Sequence, residues 1–240
     1  ASSAASDVYK RQTSICGCIN GNILSVMLGR FYSVTNVGIY NQANKWTSMG
    51  ANLIQSTVLE VAQPVLRNVA DDRERHKRVF RKMLRFTAFI SFPAMLGLGI
   101  VSEELITITI TDKWYSSISI MQILCISGAF TPIAYLYQQL IISKGKSRIY
   151  MWNTIALGII LLSGVLLVHS HGIYAMLAVY VSTNILWLLT WHYFVWQEIG
   201  LKLRHALIDI LPYAVIAARN SGRFCQRSRL ENLKVAVLIM

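Results

Sequence analysis

The chain carries little charge for its length: only 14% of its 240 residues are Asp, Glu, Lys or Arg. Soluble domains carry about 25% charged residues. More than half of the chain, 54%, is apolar, and the mean hydropathy is positive. A water-soluble globule of this size needs a more highly charged surface to stay soluble. The composition therefore excludes an ordinary soluble domain and favours a membrane protein.

Sequence features of catalysis and metal binding are also scarce. The four cysteines form no CxxC pair and stand at no zinc-finger spacing from histidine, so they predict neither a disulfide framework nor a metal site. Phosphate-binding, serine-hydrolase and HExxH motifs are missing from the printed sequence. No nucleic-acid-binding module is recognisable either. We therefore expect no enzyme, no cofactor and no nucleic-acid partner.

The sequence has long apolar runs, which predict successive membrane helices. A span needs about 20 apolar residues to cross about 30 Å of hydrocarbon. We predict an all-α, polytopic membrane helix bundle with about six to seven transmembrane helices. The candidate segments are 15–31, 37–65, 86–101, 118–142, 149–168, 173–196 and a shorter run at 206–218.

The two ends of the chain differ from the apolar body, which we place at residues 13–218. Residues 1–12 (ASSAASDVYKRQ) have no apolar period and resemble adapter-derived sequence or a disordered tail. Residues 219–240 interrupt the last apolar run with a polar, basic stretch. We interpret this second tail as the result of a frameshift or a fragment end.

A basic block at residues 67–85 holds eight Lys/Arg and three Asp/Glu between two apolar segments. The connections 143–150 and 197–205 carry three and two Lys/Arg. The intervening connections carry two in total, with the flanking Arg30 included. Because Lys and Arg accumulate in cytoplasmic loops, the alternation predicts one orientation, with the 67–85 connection in the cytoplasm.

The segment 37–65 has a polar stripe. Its polar residues recur mostly every three or four positions, which places them on one face of a helix. A charge at mid-bilayer costs at least about 2.5 kcal/mol, so such a face must contact protein or water. We predict that the stripe lines a hydrophilic cavity, with Asn52 and Gln55 as the strongest candidates. The candidate cavity-lining residues are Asn41, Lys45, Ser48, Asn52, Gln55 and Glu60.

Lys45 and Glu60 each have a second interpretation. They are separated by fifteen residues, about 22 Å along a helix, and cannot pair with one another. Lys45 fits an interfacial anchor as well as a ligand contact, and Glu60 fits a partner of a nearby arginine. Both alternatives stay open at the level of the sequence.

Several short stretches resemble the polysaccharide flippases, the O-antigen and exopolysaccharide branch of the multidrug/oligosaccharidyl-lipid/polysaccharide exporter superfamily. They occur in a consistent order over residues 23–218. The stretches are LGRF (28–31), GIYNQANKW (38–46), VAQPVL (61–66), FPAMLGL (92–98), DKW (112–114) and IISKGK (141–146).

The resemblance implies a two-lobed transporter of fourteen helices, of which this chain is similar to the C-terminal lobe. It implies a multi-pass protein of the bacterial inner membrane that translocates undecaprenyl-pyrophosphate-linked oligosaccharide repeat units by alternating access. The implied partners are the lipid-linked oligosaccharide, membrane lipids, and the polysaccharide polymerase and glycosyltransferases. Three alternatives remain: a cation-coupled multidrug exporter of the same superfamily, a membrane polymerase or ligase, and a membrane scaffold without transport.

Overall fold

The computed structural model of the protein describes the backbone of residues 2–69, 72–109 and 112–239. Side chains are described for residues 15–221, apart from 63, 67, 70, 71 and 110–112. The described residues form helices and short turns, with no strand among them. The helices are α1 (Ser2–Phe31), α2 (Val34–Asn68), α3 (Arg73–Ile100), α4 (Ser102–Thr109), α5 (Ser117–Ser143), α6 (Ser147–Val168), α7 (Ile173–Ile199) and α8 (Leu203–Ile239).

The all-α membrane bundle predicted from the sequence is confirmed. Within the described part of the chain, four helical segments are long and apolar enough to cross a membrane: Arg73–Ile100, Ser117–Ser143, Ser147–His171 and Ile173–Ile199. The apolar part of α1, Ile15–Phe31, is shorter than these four. Helix α2 has 35 residues, about 52 Å of helix, but its polar stripe lowers its hydropathy.

The basic block 67–85 is not the extended connection that its charge suggested. Helix α2 continues to Asn68 and α3 begins at Arg73, so most of the block is the start of α3. The side chain of Asp72 accepts a hydrogen bond from the backbone N–H of Arg75, at 3.0 Å, and so caps the helix. Lys, Arg, Met and Leu are strong helix formers, which explains why a charged segment remains helical.

The last helix is longer than the apolar run 206–218. Helix α8 begins at Leu203 and its backbone continues through the predicted C-terminal tail to Ile239. Likewise, α1 begins at Ser2, within the predicted N-terminal tail. The foreign origin of residues 1–12 and 219–240 stays a prediction, and most of their side chains lie outside the described residues.

Helix α5 is the centre of the bundle. It packs against α2, α3 and α7, while α1 packs against α6 and α3 also packs against α8. Its buried side chains pack with Phe80 and Leu84 of α3 in the apolar core. Two ring pairs cross the helices edge to face: Phe80 with Tyr137 at 5.2 Å between centroids, and Phe92 with Phe130 at 5.1 Å. These contacts hold α3 in a fixed position against α5.

The connections between the helices lie at two ends of the bundle. At one end, the guanidinium of Arg73 approaches Gly200 and Lys146 pairs with Glu198. We call this the basic end; it contains the start of α3 and the connections 144–146 and 200–202. At the opposite end, the Tyr32 hydroxyl donates to the carbonyl of His169, at 2.6 Å. The connections that are rich in Lys and Arg thus meet at one end, as their alternation predicted.

Candidate functional site

Helix α2 has two chemically different faces. One face is buried against α5 and α3 and recurs every three or four residues: Tyr40, Ala43, Thr47, Ala51, Ile54, Val58, Ala62 and Leu66. Small residues on this face allow the helices to approach closely. At Gly50, on the flank toward α3, an added Cβ would lie 2.9 Å from a methyl carbon of Leu98. The apolar packing therefore fixes the rotation of α2 and leaves its other face free.

The structure places all six predicted site residues away from the buried face of α2. Asn41, Lys45, Asn52 and Glu60 are exposed, and Ser48 and Gln55 are half-buried. The stripe therefore lies on the part of the α2 surface that does not pack against α5. Within the described residues it is open on one side and is not enclosed in a pocket. Its role as the lining of a cavity stays a prediction.

The polar stripe is held by a few hydrogen bonds of its own. The Ser25 hydroxyl of α1 donates to the Asn41 side-chain oxygen at 2.9 Å, which joins α1 to the stripe. The Ser48 hydroxyl donates to Asn44 at 3.4 Å, one turn earlier. Neither Lys45 nor Glu60 forms an ion pair with another described side chain. Most of the polar groups of the stripe thus remain available to water or to a ligand.

A buried ion pair that sequence reasoning missed joins α3 to α8 near the basic end. The guanidinium of Arg81 donates to both carboxylate oxygens of Asp209, at 2.6 Å from Nε and 3.0 Å from the terminal nitrogen. The Arg85 Nε lies 3.6 Å from the same carboxylate. Only 4% of the Asp209 side chain is exposed. The sequence does show an acidic residue, Asp209, within the apolar run 206–218. Its partner could not be inferred from the sequence, because Arg81 lies 128 positions away.

A second polar contact lies deeper in the bundle. The Tyr137 hydroxyl of α5 and the Nδ1 of His192 on α7 are 3.2 Å apart, and both side chains are buried. The two rings also meet edge to face, with centroids 5.8 Å apart. This contact links two of the membrane-spanning helices. Its position in the core identifies it as a structural contact and not as part of the polar surface of α2.

The opposite end of the bundle also contains polar contacts. The Tyr115 hydroxyl, in the connection before α5, donates to the Glu103 carboxylate at 3.2 Å. This hydrogen bond raises the pKa of Tyr115 above its ordinary value.

In the described part of the chain, no three His, Cys, Asp or Glu side chains come close enough to hold a metal ion. The arrangement of α2 offers hydrogen bonds and two opposite charges to a ligand.

These features define a class of protein: a multi-pass membrane helix bundle with a polar surface along one long helix. Residues 10–119 match a family model described as "Polysaccharide biosynthesis protein". This match covers less than half of the chain, and together with the relatives below it supports a member of the polysaccharide exporter family. No solved structure matches the chain.

Three curated relatives match parts of the chain. A membrane protein in the cps region of Klebsiella pneumoniae is 30% identical over 141 residues, which are 59% of this chain and 29% of that protein. The teichuronic acid biosynthesis protein TuaB of Bacillus subtilis is 25% identical over 186 residues, 77% of this chain and 36% of that protein. The lipopolysaccharide biosynthesis protein WzxC of Escherichia coli is 28% identical over 133 residues, 55% of this chain and 27% of that protein. The matched part of the chain thus spans between 27% and 36% of the length of these relatives.

Proposed function

We propose that this chain is part of a transporter that moves lipid-linked oligosaccharide repeat units across the bacterial inner membrane. The repeat units, carried on undecaprenyl pyrophosphate, supply a surface polysaccharide such as lipopolysaccharide or exopolysaccharide. The names of the relatives point in this direction, since they include lipopolysaccharide and teichuronic acid biosynthesis. Translocation makes and breaks no covalent bond, so the chain acts as a transporter and not as an enzyme.

The observation that carries this proposal is the polar stripe on an otherwise membrane-compatible helix. Asn52 is exposed and Gln55 is half-buried at the middle of α2, far from either end of the helix. Amides in contact with hydrocarbon cost several kcal/mol when they lack hydrogen-bond partners. The stripe therefore faces a hydrophilic cavity in the complete protein, where amide groups bind sugar hydroxyls. Lys45 and Glu60 adjust the charge at the two ends of this surface.

The cavity works by alternating access. A second lobe, in the part of the complete protein beyond this chain, closes the cavity on the far side of the stripe. The basic end, with residues 67–85, lies in the cytoplasm, because Lys and Arg concentrate on that side of a membrane protein. The repeat unit enters there from the glycosyltransferases that build it. It leaves at the opposite end, toward the polysaccharide polymerase.

The test uses the complete gene in its own bacterium. Asn52→Ala, Gln55→Ala and Glu60→Gln are introduced singly and together, and surface polysaccharide is measured with the amount of protein in the membrane. We expect export to fall about tenfold or more in the combined variant while the protein level is unchanged.

Thr57→Ala is the matched control. Thr57 is exposed on the same helix, but it lies about 140° around the axis from Asn52. Its hydroxyl donates only to the carbonyl of Leu53 in the same helix. Normal export by the combined stripe variant at normal protein level would refute the proposal. Export of small amphiphilic drugs in place of polysaccharide would instead identify a drug exporter.

A further inference from the structure

A groove between α2 and α3 lies outside the polar stripe. It has a volume of about 460 Å³ and opens to the surface of the bundle. Its walls are apolar: Val58, Val61 and Val65 line it from α2, and Met83 and Phe86 line it from α3. Of these, Val61 and Phe86 are each more than half exposed. The groove therefore offers a continuous apolar surface for a hydrocarbon chain.

Two polar groups complete this groove. Lys82 lines it and is exposed, and forms no ion pair with a described side chain. Thr87 also lines it, is fully buried, and its hydroxyl has no hydrogen-bond partner among the described residues. Buried hydroxyls are normally paired, so this one indicates a missing acceptor. Thr87 lies five residues beyond Lys82, about 7.5 Å deeper along α3 from the basic end.

The charge around the groove favours an anion. Arg78 lies one helical turn before Lys82, on the exposed side of α3, and both are near the basic end. An amphiphile with a negative headgroup at Lys82 and a hydrogen-bond acceptor a few ångströms deeper matches both polar groups. The phosphate and the ester carbonyl of a glycerophospholipid are arranged in that order, followed by the acyl chain.

The groove and the polar stripe face away from each other. Residues nine positions apart on a helix are separated by about 900°, which places them on opposite sides of the axis. This relation holds for Asn52 of the stripe and Val61 of the groove. If the stripe faces the hydrophilic cavity, the groove faces the surrounding lipid. In that arrangement, which rests on the proposed function, the groove is accessible to membrane lipid and not to the transported sugar.

A similar arrangement recurs at the basic end. A groove of about 410 Å³ at the junction of α7 and α8 is lined by Tyr193, Trp196 and Lys202, among others. Interfacial Trp and Tyr with a neighbouring Lys or Arg are typical of contact with lipid headgroups. A groove of about 620 Å³ between α1 and α6 has no charged residue in its lining. Apolar grooves with a cationic residue thus occur at the basic end.

We propose that the α2–α3 groove is a binding site for an anionic glycerophospholipid of the membrane leaflet at the basic end. One acyl chain occupies the channel of valines, the phosphate binds the ammonium of Lys82, and the Thr87 hydroxyl donates to an ester carbonyl. The bound lipid fills the space between two helices that otherwise leave a gap. This site does not depend on which substrate the transporter carries.

The test places the full-length protein in phosphatidylcholine nanodiscs with a small fraction of phosphatidylglycerol. The phosphatidylglycerol carries a photoreactive diazirine on its acyl chain, and the labelled peptides are mapped by mass spectrometry. We expect labels on Val61, Val65 and Met83. The variant Lys82→Gln should reduce this labelling about fivefold, because a lysine near the surface contributes roughly that factor for an anionic lipid.

Two further variants separate the contributions of headgroup and chain. Lys113→Gln removes an exposed lysine at the opposite end of the bundle and should leave the labelling unchanged. Val61→Trp fills the groove at a position that is already half-exposed, and should reduce labelling by both phosphatidylglycerol and a matched phosphatidylcholine probe.

Three results would overturn this proposal. The first is equal labelling of the groove by the anionic and the zwitterionic probe. The second is an equal loss of labelling in Lys82→Gln and Lys113→Gln. The third is displacement of the probe by undecaprenyl phosphate at concentrations where unlabelled phosphatidylglycerol has no effect. In that last case the groove binds the polyprenyl carrier and not a phospholipid.

Discussion

Arg81→Ala should destabilise the bundle more than any other single change in the α3–α8 contact. The substitution removes two charge-assisted hydrogen bonds, at 2.6 and 3.0 Å, and leaves the Asp209 carboxylate with only 4% of its side chain exposed. Removing one partner of a buried pair costs 3–5 kcal/mol in typical cases. Arg85 can move toward the carboxylate and offsets part of this loss. We therefore expect the free energy of unfolding to fall by about 3 kcal/mol.

Two further variants in the same contact test whether distance and burial account for this expected loss of stability. The Arg85 side chain is 52% exposed and its Nε is 3.6 Å from Asp209, so Arg85→Ala should cost about 1 kcal/mol or less. Asp209→Ala should lie between the two, about 2 kcal/mol, because the Arg81 side chain is 31% exposed and its charge can reach water. The measurement is unfolding in detergent micelles, followed by circular dichroism. Equal losses for Arg81→Ala and Arg85→Ala would refute this reasoning.

Further predictions concern the ends of the helices, and each is checked by the same unfolding measurement. Gly200→Ala should destabilise by about 1–3 kcal/mol, because the glycine ends α7 with φ of 66°; no change would contradict the left-handed conformation. Tyr32→Phe should cost about 1 kcal/mol through loss of the hydrogen bond to the carbonyl of His169. Asp72→Ala should cost about 1 kcal/mol because it removes the cap on the Arg75 amide, and Asp72→Asn should retain most of that stability.

The sequence predicted the helices that must be apolar because they cross the lipid bilayer. A helix in hydrocarbon must be apolar over about 20 residues, so hydropathy alone located the segments that became α5, α6 and α7. The alternation of basic connections predicted correctly which of them meet at one end of the bundle. The same charge pattern misled at residues 67–85, where a helical segment looked like a loop. Density of charge indicates exposure to water, but it does not distinguish an exposed helix from an exposed connection.

The candidate site was predictable only in part. The spacing of Asn41, Lys45 and Asn52 determined that they share a helical face, since this follows from 3.6 residues per turn. Whether that face is exposed or packed depends on which other helices lie beside α2, and the helical period of the sequence does not identify them. The structure turns the face away from α5, because Ala43, Ala51 and Ala62 on the other side permit close packing.

The sequence by itself determined that this chain is a bundle of membrane helices with one polar face and one basic end. These properties are local, because hydrophobicity, helical period and charge are read within about 20 residues. Only the tertiary structure decided that Arg81 meets Asp209, and that α2 and α3 leave a groove between their valines, Lys82 and Thr87. Both depend on which helices pack together and at what rotation. The packing of the helices is determined by contacts between apolar surfaces that are far apart in the sequence, so no local sequence pattern predicts it.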